Sequence, residues 1–300
     1  MMNELDELRI RESCLDRWGQ HDKKIEYFDE NYLSYMQALT PQMKDMVCFF
    51  LNKFDYYSRY VVNKYLQSIH NKVMLLDGVD IDSSIFCVLK SKRCTINSSY
   101  EFLIEYRHLN GISKHSIIPE LRDIYEREYW NNIRNLIFID DFCGSGKTFI
   151  DYLVAYYEKI KDKRIVYAIV HIMEESKRNI EDYATVNNLD IVIVYGNSKC
   201  AAFEISSYIK DKRECFKEES EKLGLNKDSD IYGFSNSEAL ASFYNDTPNN
   251  TLGIFWKETK ENKALFPRNK EKKPGWMTYR DEKRKRKENN YSSSRARYNG

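Results

Sequence analysis

The segment from Leu136 to Thr148 constrains this chain more than any other. An apolar run ends in two adjacent acids, Asp140 and Asp141; small residues fill Cys143 to Gly146; then Lys147 and Thr148 open a helical pattern. That is a strand, a turn and a helix start. Backbone N–H groups at such a helix start bind anions, and glycines let the backbone come close to them. Ser145 and Thr148 add hydroxyl donors, and Lys147 adds a cation.

Gly146, Lys147 and Thr148 complete the last three positions of the P-loop pattern G-x-x-x-x-G-K-[ST], but its first glycine would fall at Asp141. A carboxylate there would face a triphosphate. Nor can the acids serve as a Walker B pair, which belongs on a different strand from the loop. The plainer reading is a buried strand ending in a solvated turn whose acids cap the next helix. Two consecutive acids before Gly-x-Gly favour a phosphate site over that reading.

Around the segment, strands alternate with helices. Ile85 to Leu89 reads as a strand, Ser98 with Glu101 as a capping box opening a helix through Tyr106, and Leu121 to Asn132 as helical. After the central strand come a helix at Lys147 to Ile160, a strand at Ile165 to Ile172, a helix at Glu174 to Thr185 and a strand at Asp190 to Tyr195. This order predicts a parallel α/β sheet with right-handed crossovers, whose ligands lie beyond the carboxyl ends of the strands. Asp140 and Lys90 both stand at such ends. Residues 1 to about 75 read as helical, with Thr40 as a cap before Pro41 and an aromatic-rich pair from Met46 to Ile69.

The acid-to-threonine segment resembles the type I phosphoribosyltransferase fingerprint. Asp140 and Asp141 fill the acidic pair, Gly144 and Ser145 the small pair, then Gly146, with Thr148 closing the motif. Gly144 and Lys147 depart from the usual hydroxyl and small residues. The resemblance implies a 5-phosphoribosyl donor with its phosphate on Cys143 to Thr148. Asp140 and Asp141 would be catalytic, accepting the ribose hydroxyls and favouring positive charge at the anomeric carbon. Lys90, Ser91, Lys92 and Arg93 would handle pyrophosphate, which brings Mg2+ with it, so no residue binds metal directly.

Further on, Gly233 to Leu240, Phe243 to Trp256 and Leu265 to Arg268, joined to the acid pair, resemble phosphoribosyltransferase-like proteins of bacterial conflict and antiphage loci, including retron-associated effectors. The likeness spans roughly residues 80 to 268. It implies that Asn249, Asn250 and Thr251 line the acceptor side. The turn chemistry around Pro248 and a following strand at Leu252 to Trp256 offer a purely structural alternative.

The expected architecture is α/β: a helical extension at 1–78, a parallel-sheet type I phosphoribosyltransferase-like core at 79–268 and a basic tail at 269–300. From Arg268 onward stand 12 Lys and Arg against four acids, which leaves about −7 for the rest of a chain whose net charge is +1. Such a tail suits contact with a nucleic acid or a reverse transcriptase complex, or simple solubilisation. No apolar stretch is long enough to span a membrane, and the N-terminus does not read as a signal peptide, so a cytoplasmic location is expected. Seven cysteines without C-x-x-C spacing and scattered histidines argue against disulfides and zinc. Cys143 reads either as a reactive thiol or, more plainly, as packing under the loop, and His171 as a satisfied core residue.

Three functions remain open. One is a phosphoribosyltransferase-like effector of antiphage defence that binds phosphoribosyl pyrophosphate or a nucleotide. The second is an inactive nucleotide sensor within a nucleic-acid complex, and the third a P-loop nucleotidase. Whether the chain is an enzyme stays undecided at this stage.

Overall fold

Leu136 to Ile139 and Ile165 to Val170 are apolar or aromatic at every position, the pattern of strands covered on both faces. A computed structural model describes residues 4–19, 22–89 and 98–268 of the chain. In chain order the elements are α1 (Glu4–Trp18), α2 (Lys23–Gln37), α3 (Pro41–Leu51), β1 (Asp55–Tyr57), α4 (Arg59–Met74), β2 (Ser84–Cys87), α5 (Ser98–Asn110), β3 (Ile117–Ile118) and β4 (Asn135–Cys143). There follow α6 (Lys147–Ile160), β5 (Arg164–Met173), α7 (Glu174–Val186), β6 (Ile191–Lys199), α8 (Ser207–Lys210), α9 (Arg213–Lys222), α10 (Asp228–Ile231), β7 (Ala241–Phe243) and α11 (Gly253–Trp256).

The five-stranded sheet runs β3-β2-β4-β5-β6, and every pairing is parallel. Side-chain alternation sends Ile137 and Ile139 to one face with Val62 and Leu66 of α4 and Phe102 and Tyr106 of α5. Leu136 and Phe138 point to the other face, against Phe149 and Leu153 of α6 and Ile180 of α7. Each fully buried ring or aliphatic side chain contributes roughly 1.5–3 kcal/mol. The central strand β4 therefore cannot slip by one residue without exchanging its faces. That register delivers Asp140 to the α6 side.

A second apolar cluster joins the N-terminal helices to the C-terminal block. Phe266 stacks on Phe54 at 4.7 Å between centroids and on Phe28 at 5.4 Å, and Trp18 packs edge-on against Phe28. β1 pairs in parallel with β7, placing Tyr57 opposite Phe243. Residues 1–268 thus form one compact unit.

Several local expectations need correcting. Residues 55–57, expected to be helical, form β1, because Ser58 starts a new helix by accepting from Val61 N. Leu121 to Asn132 is two 3₁₀ turns, Leu121–Asp123 and Glu128–Asn132. Buried Leu121 and Ile124, then Trp130 and Ile133, recur every three residues, which is the 3₁₀ period. The expected strand at Leu252 to Trp256 is a single helical turn, α11. A short, wholly buried apolar run carries no period to separate helix from strand. Here Gly253 settles the matter by close approach: a Cβ there would lie 1.5 Å from Asp230 O.

Among the described residues, no helix is long and apolar enough to cross a membrane. The pyrophosphate-loop residues Lys90 to Arg93 and the tail 269–300 lie outside the described residues.

Candidate functional site

At the carboxyl end of β4 lies a cavity of about 320 Å³. Its walls include Asp140, Asp141, the loop Cys143 to Thr148, Leu89, Ser98, Phe234, Asn249 and Asn250. An adjoining hollow of about 180 Å³ shares Ser98, Asp141, Asn249 and Asn250, and adds Asn245 to Pro248 and Arg268.

The loop owes its shape to Gly146, the N-cap of α6, at φ 74°, a left-handed conformation that a side chain would strain. A Cβ there would also press on Ser176 O at 3.2 Å. No acidic residue stands in the first turn of α6, so nothing on the helix opposes an anion at its positive end. Lys147 N donates to Ser145 Oγ at 3.4 Å. The Lys147 ammonium pairs with Asp151 one turn along, at 3.1 Å, instead of folding over the loop. Cys143 is buried beneath the loop, and burial pushes its thiol up to about 11. That makes it a packing residue and a poor nucleophile at neutral pH.

The two acids have different surroundings. Asp140 is 7% exposed; Tyr167 Oη donates to its Oδ2 at 2.8 Å and Asp141 N to its Oδ1 at 3.1 Å. Tyr167 is itself held by Phe149, whose ring stacks on it at 4.0 Å. Burial and then the neighbouring Asp141 raise the Asp140 carboxyl well above the usual range. Asp141 is half-buried, and burial raises its carboxyl too, opposed by hydrogen bonds that include one from Ser98. Two carboxyl groups this close favour sharing one negative charge. The hydrogen bond from Ser98 favours the charged form of Asp141, whereas Asp140 is raised further.

Ser98, at the start of the described part of α5, is a partner of Asp141, and Glu101 Oε2 accepts from Asn245. Next to it, Ser99 Oγ bridges Leu89 N (3.1 Å) and Ile139 O (2.7 Å), locking α5 to the ends of β2 and β4.

The acceptor-side residues part company. Asn249 is exposed and Asn250 half-buried, both on the cavity wall. Asn250 lies so close to the loop that a Cβ on Gly144 would fall 2.1 Å from its Nδ2. The absence of a side chain at position 144 thus leaves room for that of Asn250. Thr251 is fully buried and donates to Ala241 O at 2.6 Å, outside the cavity lining. Lys24 of α2 secures the same wall from behind, donating to Phe243 O and Thr247 Oγ1, and burial lowers its ammonium to about 8.

Behind Phe142, His171 is fully buried and shares a 2.6 Å hydrogen bond between its Nδ1 and Tyr57 Oη. Its Nε2 has no hydrogen-bond partner among the described residues, so it is only half satisfied there, and burial lowers its pKa to about 3. Sequence reasoning did not single out Tyr167 or Phe234 as site residues, and read Ser98 only as a helix cap. Tyr167 offered one signal, a hydroxyl within an apolar strand that must find a partner when buried. Among the described residues, no group of three or more His, Cys, Asp or Glu is arranged to hold a metal ion.

A parallel sheet with an acid pair and a glycine-bearing loop at the end of its central strand defines a phosphoribosyltransferase-like protein. The chain belongs to the PRTase-CE family, whose model matches residues 28–268. A solved structure, the Helicobacter pylori xanthine-guanine-hypoxanthine phosphoribosyltransferase, aligns at 12% identity and a TM-score of 0.31, covering 53% of this chain and 96% of that one. A likeness that slight carries no argument about the site. No curated protein matches the sequence.

Proposed function

We propose that the cavity binds a 5-phosphorylated ribose, presented by phosphoribosyl pyrophosphate or by a nucleotide. The observation that carries this reading is the convergence of the acid pair and the Gly144 to Thr148 loop on one cavity. Backbone N–H groups of the loop take the phosphate, with Ser145 and Thr148 as added donors. Asp141, braced by Ser98, accepts the ribose diol, and Asp140 positions it through the Asp141 N–H bond to its Oδ1. With phosphoribosyl pyrophosphate, the C1–O bond to pyrophosphate breaks, that group leaves with its magnesium ion, and a nucleophile of the acceptor bonds to C1. Asp141 stabilises the positive charge that develops on the sugar. Lys90 to Arg93 would face the leaving group.

A second reading keeps the binding and drops the transfer. The burial of Asp140 beside Asp141 favours it, because an acid held toward the neutral form contributes little to stabilising positive charge. Titration calorimetry with phosphoribosyl pyrophosphate, run beside a pyrophosphate-release assay, separates the two. Binding with acceptor-dependent release supports transfer, and binding alone supports a sensor. Absence of binding overturns both. The P-loop alternative requires ATP or GTP turnover that depends on Lys147, whose ammonium is engaged by Asp151.

By its sequence resemblance, the chain serves as a cytoplasmic effector of antiphage defence, beside a retron reverse transcriptase or its nucleic acid. Phage protection that survives the Asp140→Asn, Asp141→Asn double variant would remove the catalytic form of this role. Deleting residues 269–300 should flatten the salt dependence of nucleic acid binding; an unchanged slope would leave the tail a solubiliser.

A further inference from the structure

One buried titratable side chain has no part in holding phosphate or diol. His171 is fully buried in β5, level with Phe142 of β4 and Asn197 of β6 in the strand register. Its ring stacks on Phe142 at 5.1 Å between centroids and 22° between planes. Phe142 follows Asp141 directly and lines both hollows at the carboxyl end of β4.

Side-chain alternation breaks at this level. Ile169 and Ile172 pack on the α6 side with Cys143, whereas Val170 and Phe142 pack on the α4 side. His171, between Val170 and Ile172, reaches Tyr57 of the α4-side cluster, so β5 turns two consecutive residues the same way. Gly196 of β6 makes room for the break. A Cβ there would lie 2.9 Å from Val170 O and 2.3 Å from Cδ1 of Tyr65.

A chain of hydrogen bonds fixes His171 from outside the cavity. Asn197 Nδ2 donates to Tyr57 Oη at 2.8 Å and to Asp55 Oδ2 at 3.0 Å, and Lys199 pairs with Asp55 at 3.4 Å. With Tyr57 Oη accepting from Asn197, its own proton goes to His171 Nδ1, 2.6 Å away. Tyr57 also stacks on Phe243 of β7 at 4.7 Å, and Phe243 stands edge-on to Phe142 at 6.5 Å. Side chains from β1, β4, β5, β6 and β7 thus meet in one packed row that ends beside Asp141.

We propose that Tyr57, His171 and Asn197 are positioning residues for Asp141: the row holds Phe142, and with it the adjacent carboxyl group, where that group accepts the ribose diol. The role rests on the 5-phosphoribosyl reading of the same cavity. Apolar side chains would fill this space without leaving polar atoms to satisfy. Hydrogen bonds are directional, so they set the rotation of both rings, which apolar contacts leave free. The row also gives Tyr57, which lies before the phosphoribosyltransferase-like core expected from the sequence, a part in the site.

The test compares ribose 5-phosphate with 2-deoxyribose 5-phosphate, which share the phosphate and differ in one hydroxyl of the diol. Both are titrated calorimetrically into the full-length protein and its Tyr57→Phe and Asn197→Leu variants. Wild type should prefer ribose 5-phosphate about tenfold, as expected for one hydrogen bond to a charged group. Tyr57→Phe removes a single hydroxyl and keeps the stack on Phe243, and it should narrow that preference to within about threefold. A merely structural role would lower the melting temperature and leave the preference where it was. Asn197→Leu, at the half-buried outer end of the row, should narrow the preference too, and it supplies the readout if Tyr57→Phe does not fold. A preference that survives in the folded variants overturns the positioning role and leaves the diol reading intact. Equal affinities in wild type, or binding of neither compound, defeat the diol reading itself and the positioning role with it.

Discussion

The two walls of the cavity are made in opposite ways. The β4–α6 loop is mostly backbone, shaped by one left-handed glycine and the start of a 14-residue helix, with its thiol and lysine side chains turned to packing and to Asp151. Against it, the segment from Gly233 to Asn250 presents side chains, Phe234 and two asparagines, and includes a turn strained at several non-glycine residues. Backbone recognises what all phosphate esters share. Side chains can be exchanged without rebuilding the sheet, so under the proposed function ligand choice would reside in the second wall and phosphate binding in the first.

Breaking the second wall should cost the most stability. A Cβ on Gly233 would meet Asn250 O at 2.1 Å, a backbone atom that cannot swing aside. Gly233→Ala should lower the unfolding free energy by about 2–4 kcal/mol in urea titrations, combining overpacking with a left-handed backbone. A loss below about 0.5 kcal/mol, the range of ordinary surface changes, would mean the turn relaxes freely.

The acid pair sharpens the first wall. Asp141→Asn should weaken ribose 5-phosphate binding at least about tenfold, as loss of a hydrogen bond to a charged group does. Asp140→Asn should cost about threefold or less, because its carboxyl is already held toward the neutral form. Equal losses would contradict the division of labour.

Stability against pH gives a check with opposite signs. The folded-state pKa of Asp140 is raised, so its contribution is full below the unfolded value near 3.8 and is lost as pH rises through the folded value. Asp140→Asn should therefore raise the melting temperature at pH 7.5. His171 is the reverse. Its pKa falls to about 3, so its contribution is complete above about 6.5 and is lost as pH drops toward 3. Its slope reaches up to about 1.4 kcal/mol per pH unit, and His171→Gln should flatten that limb. A melting temperature unchanged by Asp140→Asn, or an acid limb unchanged by His171→Gln, would contradict the assignment concerned.

The smallest effect belongs to Lys147. Its pair with Asp151 is exposed, so Lys147→Met should change stability by less than about 0.5 kcal/mol. Ribose 5-phosphate affinity should change by less than about threefold. A larger loss of binding would show that the ammonium swings onto the ligand.

The first wall was legible in the sequence because it is local. An apolar run, two acids and small residues before a helix specify strand, turn and cap within a few positions of one another. The second wall was only half legible. Asn249 and Asn250 stand out as turn residues, yet nothing between Gly233 and Glu238 announces consecutive left-handed residues at Ser235 and Asn236, because the contacts that impose them come from Asn249 and Asn250. Tyr167 was hidden for the same reason: its role exists only where β5 lies beside β4. The pairing of β1 with β7 joins segments too far apart in sequence for any periodicity to reveal. Thr251 looked like a ligand residue beside two asparagines until burial turned it toward Ala241.

The most direct test of the central claim is calorimetric titration of ribose 5-phosphate into the full-length protein at pH 7.5, beside the Asp141→Asn variant. The account predicts saturable binding to wild type and a loss of at least about tenfold in the variant. No binding to wild type, or the same affinity in both, would contradict it.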